Sequence, residues 1–242
     1  MRYMALALLI PLAACGGWSS DDDVPGVAGS GSGNERRYAV ADFTGVDQRG
    51  PDDVDIRVGS GFSVRAEGDE KVLGRLKIAK DGDRLLITRE GSMMRWGSTS
   101  GAAKIFVTMP RVERVRSAGS GDVAIDRIEG AGFDGSIAGS GSMALGRVAL
   151  DKLELSIAGS GSVTAAGEAQ ALNVNIAGSG DVDAAALRAA RADVNIAGAG
   201  DIRATVNGPA KVAIMGAGNV DLGPQATCDV TKMGAGSVRC GG

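Results

Sequence analysis

The sequence contains no histidine, which removes the commonest general base near neutral pH and the commonest neutral metal ligand. Aromatic residues make up only 3%, so the stacking platforms that recognise sugars and bases are scarce. Positive charge is not in excess: 26 Lys and Arg stand against 29 Asp and Glu, for a formal net charge of -3. With no basic stripe, nucleic acid is excluded as an expected partner. Long apolar runs are missing too, since a membrane-crossing helix takes about 20 such residues. No cofactor is implied.

Cysteine is scarce, with three residues, Cys15, Cys228 and Cys240. The first lies in a start of export type. Arg2 gives a positive n-region, Met4 to Leu12 is a short apolar run, and Ala13-Ala14 leads with small residues into Cys15, the order of a secretory signal. Leu12-Ala13-Ala14-Cys15 resembles the lipobox of bacterial lipoproteins, in which the chain is cut before the cysteine and that residue is acylated. The expectation is a signal peptide over residues 1–14 and a cell-envelope protein held to the membrane by lipid on Cys15 alone. Gly16 after that cysteine, rather than aspartate, favours outer-membrane sorting. Committing Cys15 to lipid leaves an even pair, and Cys228 and Cys240 are expected to form a disulfide. Residues 15–36, with Asp21-Asp22-Asp23 and the Gly-Ser tract 29–33, read as a flexible lipidated tether.

What the chain has in excess is glycine, at 39 residues far above the usual share of about 7%. A repeat accounts for it. Ala118-Gly119-Ser120-Gly121-Asp122-Val123 recurs at Ala138 to Met143, Ala158 to Val163, Ala177 to Val182 and Ala197 to Ile202. Variant copies begin at Met215 and Met233. The first glycines stand at 119, 139, 159, 178, 198, 216 and 234, so the spacing is 18 to 20 residues. Apolar residues alternate with period two around each corner, as in strands with one buried face. Ile137, Ile157, Ile176, Ile196 and Ile214 lie two before the first glycine, and Val123, Met143, Val163, Val182 and Ile202 lie four after it. Each repeat therefore reads as strand, glycine turn, strand and second turn. One such unit cannot bury its face, but units stacked in register can. The expected fold is all-β, a β-solenoid over 117–242, with the Ala-rich stretch Ala184 to Ala192 read as turn and strand. Residues 37–116 carry ordinary β-alternation and read as an N-terminal capping region of strands that covers the first coil.

With Phe43-Thr44-Gly45-Val46 near the start, Ile105-Phe106-Val107-Thr108-Met109-Pro110 before the repeats, and the serial Gly-Ser-Gly-Asp-Val corners, the chain resembles the family called putative auto-transporter adhesin, head GIN domain. The match covers residues 38 to 240. The resemblance implies a right-handed parallel β-helix and an exported, often lipid-anchored protein. It carries no catalytic residue to transfer.

Three sharper chemistries fit the residues less well than turn and surface roles do. No Gly-Lys-Ser/Thr follows any glycine corner, so the corners do not make a phosphate loop. Asp122, Asp181 and Asp201 follow Gly-x-Gly and could line a calcium edge. The same position holds Ser142, Ser162, Asn219 and Ser237 elsewhere, and these are the ordinary turn residue types. Asp134, Asp151, Glu154 and Glu168 could serve a polysaccharide-active enzyme, but paired carboxylates need a defined separation and these stand at different positions of different coils. The leading expectation is a non-enzymatic envelope lipoprotein, an adhesin or interaction module that offers its rigid surface to a polysaccharide or protein. The alternatives are such an enzyme, or a structural envelope component. Met93, Met94 and Trp96 form an apolar cluster in a loop that either contacts a partner or folds over the solenoid end. Substituting Trp96→Ala separates the two: a lowered melting temperature marks a cap, and lost binding at unchanged stability marks a contact site.

Overall fold

The computed structural model describes residues 24–90 and 101–241; the signal-like segment, Cys15 and the Met93, Met94 and Trp96 cluster lie outside them. Its repeats begin where the sequence places them. Strands β10 (Val123–Gly139), β11 (Ser142–Gly159), β12 (Ser162–Gly178) and β13 (Asp181–Gly198) follow β9 (Arg114–Gly119). Each pairs in parallel with its successor, with Ile137 beside Ile157, Ile176 and Ile196 in turn. Shorter strands finish the rod: β14 (Ile202–Val206), β15 (Pro209–Gly216), β16 (Asn219–Asp221), β17 (Thr227–Gly234) and β18 (Ser237–Arg239). The expected β-solenoid is the fold, with the isoleucine and valine rows stacked in its interior at 3% exposure or less.

The two glycines of each corner are required for different reasons. Gly139 has φ +137°, and a Cβ there would lie 2.2 Å from the carbonyl oxygen of Gly119 in the coil beneath. Gly141 has no such φ, yet its Cβ would meet the Gly121 carbonyl at 2.3 Å. The first glycine supplies a left-handed backbone and the second supplies clearance alone. The second turn expected in each repeat is not a break in the strand. β10 to β13 run unbroken for 17 or 18 residues, bending while the parallel bonds continue. Differences in repeat length are absorbed at this bend, where the register shifts between Leu145 and Val148, between Thr164 and Ala166, and between Ala184 and Arg188. Ala184 to Ala192 belongs to β13, its Ala184, Ala189 and Ala192 buried against the core.

The N-terminal region departs from expectation in a way the repeats do not reveal. Residues 37–116 do more than cover the first coil, because they supply solenoid strands of their own. β3 (Gly45–Gly50) and β4 (Asp53–Val58) form a coil whose corner glycine, Gly50, stands in register with Gly119. Beyond it lie β7 (Arg84–Arg89) and β8 (Lys104–Met109), parallel to β3 and β4 respectively. Since β9 and β10 pair with the opposite edges of β3 and β4, the chain lays down the second level before the first. Closure then comes from antiparallel strands. β6 (Leu76–Asp81) edges β7, while β5 (Ser63–Glu67) edges β8 and pairs onward with β2 (Glu35–Tyr38) and β1 (Gly29–Ser30). A reversal to antiparallel pairing ends the stack without an open parallel edge. The short helix α1 (Glu70–Leu73), capped by the Asp69 carboxylate accepting from the Lys71 N–H at 2.8 Å, buries Val72 and Leu73 against this end. The tether expected to reach residue 36 is ordered in its last part, because the Gly-Ser tract enters the β1–β2 hairpin.

A buried ion pair locks cap to coil. Arg89 donates from Nε and Nη2 to the two Asp52 oxygens at 2.8 and 2.5 Å, and the Ala103 N–H donates to the same carboxylate at 2.7 Å. Asp52 is 1% exposed, so every partner counts there.

At the far end Cys228 and Cys240 are joined by a disulfide across 12 residues of sequence, their Cα atoms 6.2 Å apart. Both sulfurs pack half-buried against the core. Lys232 takes the isoleucine position of the coil below and donates from Nζ to the Gly236 carbonyl at 2.7 Å, while Val230 is left 43% exposed.

Replacing Gly141 by alanine is expected to cost about 1–3 kcal/mol through steric overlap alone. The exposed neighbour substitution Ser140→Ala should change the unfolding free energy by no more than about 0.5 kcal/mol, and equal urea midpoints for the two would contradict the clearance argument. Intact-mass analysis of the exported protein under non-reducing conditions should find Cys228 and Cys240 paired, with no alkylatable thiol at either.

Candidate interaction face

The strand that approaches each glycine corner turns alternate residues outward. Counting back from the glycine, the first outward row reads Arg49, Ala118, Ala138, Ala158, Ala177, Ala197, Met215 and Met233. The next outward row reads Asp47, Arg116, Ser136, Ser156, Asn175, Asn195, Ala213 and Thr231 in the same registers. Small side chains over most of this area leave a shallow groove of about 490 Å³ from Ser136 to Met233. Its surface is mainly apolar, and Met215 and Met233 stand 64% and 68% exposed at its C-terminal end. Sequence reading followed the inward rows and passed over this one. The alternation that placed Ile137 inside also placed Ala138 outside, so the signal was present.

The other end of the same two rows is charged. Arg84 donates to Asp47 at 2.9 Å and is ion-paired with Asp81 as well. Arg114 and Arg116 also act on Asp47 electrostatically. Burial pushes the Asp47 carboxyl above its usual range, against the downward pull of the Arg84, Arg116 and Arg114 guanidiniums. Burial also lowers the Arg49 guanidinium, with neighbouring Arg84 adding to the effect, Asp81 opposing it and Arg116 contributing less. Among the described residues, the buried side-chain polar atoms left without a hydrogen-bond partner are Asp47 Oδ1 and Arg114 Nε. Both belong to this cluster. Nothing in the repeat pattern announces it, because three of its arginines, Arg49, Arg84 and Arg114, precede the first repeat or stand at its threshold.

The corner acids have a structural occupation. Asp122 Oδ1 accepts from both the N–H and hydroxyl of Ser142 at 2.8 Å. Asp181 accepts from the Asp201 N–H at 2.9 Å, and Asp201 accepts from the Asn219 N–H at 3.0 Å and side-chain amide at 2.9 Å. Asp53 begins the series by accepting from the Asp122 N–H at 3.0 Å, and Ser237 ends it by donating to Asn219 at 2.6 Å. Each side chain caps the same position one coil on, where turn chemistry alone would bond it within its own corner. Asp122 is separated from Asp181 by two intervening corners that carry serine, so the three acids are not brought together.

Of the other carboxylates, Asp134 and Glu154 meet in register on adjacent coils. Asp134 pairs with Arg114 at 3.5 Å and Glu154 with Lys152 at 2.7 Å. Glu168 lies 4.0 Å from Arg188 and Asp151 is exposed; neither joins the first two. No helix among the described residues is long and apolar enough to cross a membrane.

Fold and face together define a parallel β-solenoid with one long outer sheet. The chain belongs to the family described as putative auto-transporter adhesin, head GIN domain, which matches residues 42–240. Among solved structures, a putative adhesin from Bacteroides fragilis is 20% identical, aligned over 85% of this chain and 95% of its own, with a TM-score of 0.73. A putative lipid binding protein from Parabacteroides distasonis is 23% identical over 88% of this chain and 98% of its own, with a TM-score of 0.67. A putative adhesin from Parabacteroides merdae is 17% identical over 85% and 95%, with a TM-score of 0.64. Likenesses this distant establish a common fold. Among curated proteins none matches the sequence.

Because the oxygens of Asp122 and Asp201 are each held by two donors, and that of Asp181 by one, they are not free to gather round calcium, which takes six to eight oxygen ligands. The melting temperature is therefore expected to be the same in excess calcium and in chelator; a rise of several degrees with calcium would restore the metal reading.

Proposed function

We propose that this chain is a non-enzymatic interaction module of the cell envelope, held to the membrane by lipid on Cys15 and binding its partner on the outer sheet that carries the groove. The observation that carries this reading is the groove itself. It crosses six stacked strands and exposes apolar surface, including two methionines, on a scaffold too rigid to fold it away. A solenoid repeats the same outer positions at fixed spacing, which suits extended partners. The family's description as adhesins agrees with binding of envelope or host molecules at the cell envelope or surface.

Attachment rests on sequence. Leu12-Ala13-Ala14-Cys15 follows a short apolar run, and Gly16 favours the outer membrane as the destination. A polysaccharide is the extended partner that the row beside the groove would serve, with hydroxyl and amide groups at four successive steps, Ser136, Ser156, Asn175 and Asn195.

The test incubates the full chain with a panel of envelope and host polysaccharides and follows retention and new reducing ends in the same tubes. Retention without new ends, abolished by Ala177→Glu on the groove floor, is the expected result. New reducing ends would turn the assignment to an enzyme and the search to Asp134 and Glu154. Retention indifferent to Ala177→Glu would move the contact off this face.

A further inference from the structure

The groove and the arginine cluster are one continuous surface. Arg116 is the register partner of Ser136, and Ala118, the neighbour of Arg49, is the register partner of Ala138. Ser136 and Ala138 are where the groove begins, so Arg116 and Arg49 stand one and two strand spacings from its first residues in the stack. Arg116 is exposed and Arg49 half-buried. From there the surface changes from cationic to small and apolar, then ends on the exposed methionines 215 and 233. Five spacings of about 4.8 Å give a groove near 24 Å long. One leaflet's share of a bilayer core about 30 Å thick is near 15 Å, so a single hydrocarbon chain fits lengthwise with room to spare. The apolar row is one residue wide, with polar Ser156, Asn175 and Asn195 beside it, which suits one chain rather than two.

A second observation comes from hydrogen bonding. Asp47 Oδ1 meets no hydrogen-bond donor, whereas Arg114 Nε, also without a hydrogen bond, has the Asp134 carboxylate 3.5 Å away as its ionic partner. Both lie at the cationic end, and the Asp47 side chain is only 6% exposed. A fatty acid's ionised carboxylate can only accept hydrogen bonds, so the partners this end offers it are the arginine guanidiniums. Along the groove's outer edge the next outward row reads Arg114, Asp134, Glu154, Asn173, Asp193 and Lys211, of mixed charge.

We propose, resting on the same face as the reading above, that it binds a single-chain amphiphile with an acidic head, a long-chain fatty acid, with the acid among Arg49, Arg114 and Arg116 and the hydrocarbon along the groove toward Met215 and Met233. The head is oriented by charge, and the chain is held by displacing water from alanine and methionine surface.

The test titrates the full chain, made without export so that it carries no lipid of its own, with a fluorescent long-chain fatty acid and with the corresponding long-chain alcohol. The acid should bind at least tenfold more tightly than the alcohol. Arg116→Ala should remove most of that difference while leaving the alcohol unchanged, and Ala177→Glu should weaken both at least tenfold. Met215→Glu, at a position 64% exposed, is the second groove variant should Ala177→Glu not fold, and melting curves control for both. Equal affinity for acid and alcohol, no binding of either, or binding indifferent to the groove variants overturns the proposal. So does binding only to vesicles of anionic phospholipid, which would make the arginines a membrane-surface patch. If polysaccharide retention depends on Ala177 while no fatty acid binds, the contact face stands and the amphiphile falls.

Discussion

Everything in this protein depends on how closely one backbone corner can lie on the next. Parallel strands stack about 4.8 Å apart, and a corner that stacks at that distance leaves no volume for a β-carbon where carbonyl oxygens face it. The gaps of 2.0 to 2.5 Å that a Cβ would meet at Gly139, Gly159, Gly178 and Gly216 are therefore the constraint from which the repeat, the composition and the rod shape follow. Once the corners are fixed, the inward rows can only stack like on like, isoleucine above isoleucine and valine above valine, and the outward rows must stack the same way. The interior is a set of ladders because the corner is a ladder.

The same register does work outside the core. At the residue after the second corner glycine, an Asp carboxylate oxygen reaches the next coil's N–H instead of closing its own turn. Asp53, Asp122, Asp181, Asp201 and Asn219 thus tie successive coils along an edge where strand bonding is interrupted. Where serine stands at that position, the next coil's N–H bonds to a corner glycine carbonyl instead, as Ser162 does to Gly141 and Asp181 to Gly161. The two ends of the rod use different devices. At the N-terminal end, antiparallel strands and the Asp52–Arg89 pair close the stack; at the C-terminal end a disulfide joins the last two strands while Val230 and Met233 stay exposed.

Function follows from what the outward rows carry. On one face the residue before the glycine is alanine in the middle coils, methionine at the C-terminal end and arginine at the N-terminal end, so one row grades from cationic to apolar along the rod. A gradient of this kind is a property of the stack and exists in no single coil. Asp134 and Glu154 come into register through the same stacking, but each is engaged by a cation on a neighbouring strand or its own, which accounts for them as surface pairs.

The sequence by itself determined the repeat, the strand period, the buried rows and the need for glycine, because each depends on local spacing that recurs often enough to be read. Its family likeness was legible in the corners as well. What only the tertiary structure decided is how distant segments meet. β3 and β4 form a level between β7–β8 and β9–β10 in the stack, with a lone corner at Gly50, and no repeat signal marks them, since the levels on both sides of theirs come later in the chain. Arg84, Arg114 and Arg116 converge on Asp47 for the same reason, from two strands that lie tens of residues beyond it in the chain. Local pattern can specify which way a side chain points; which side chains it points beside depends on the order in which coils are stacked, and that order is set by pairing across the whole fold.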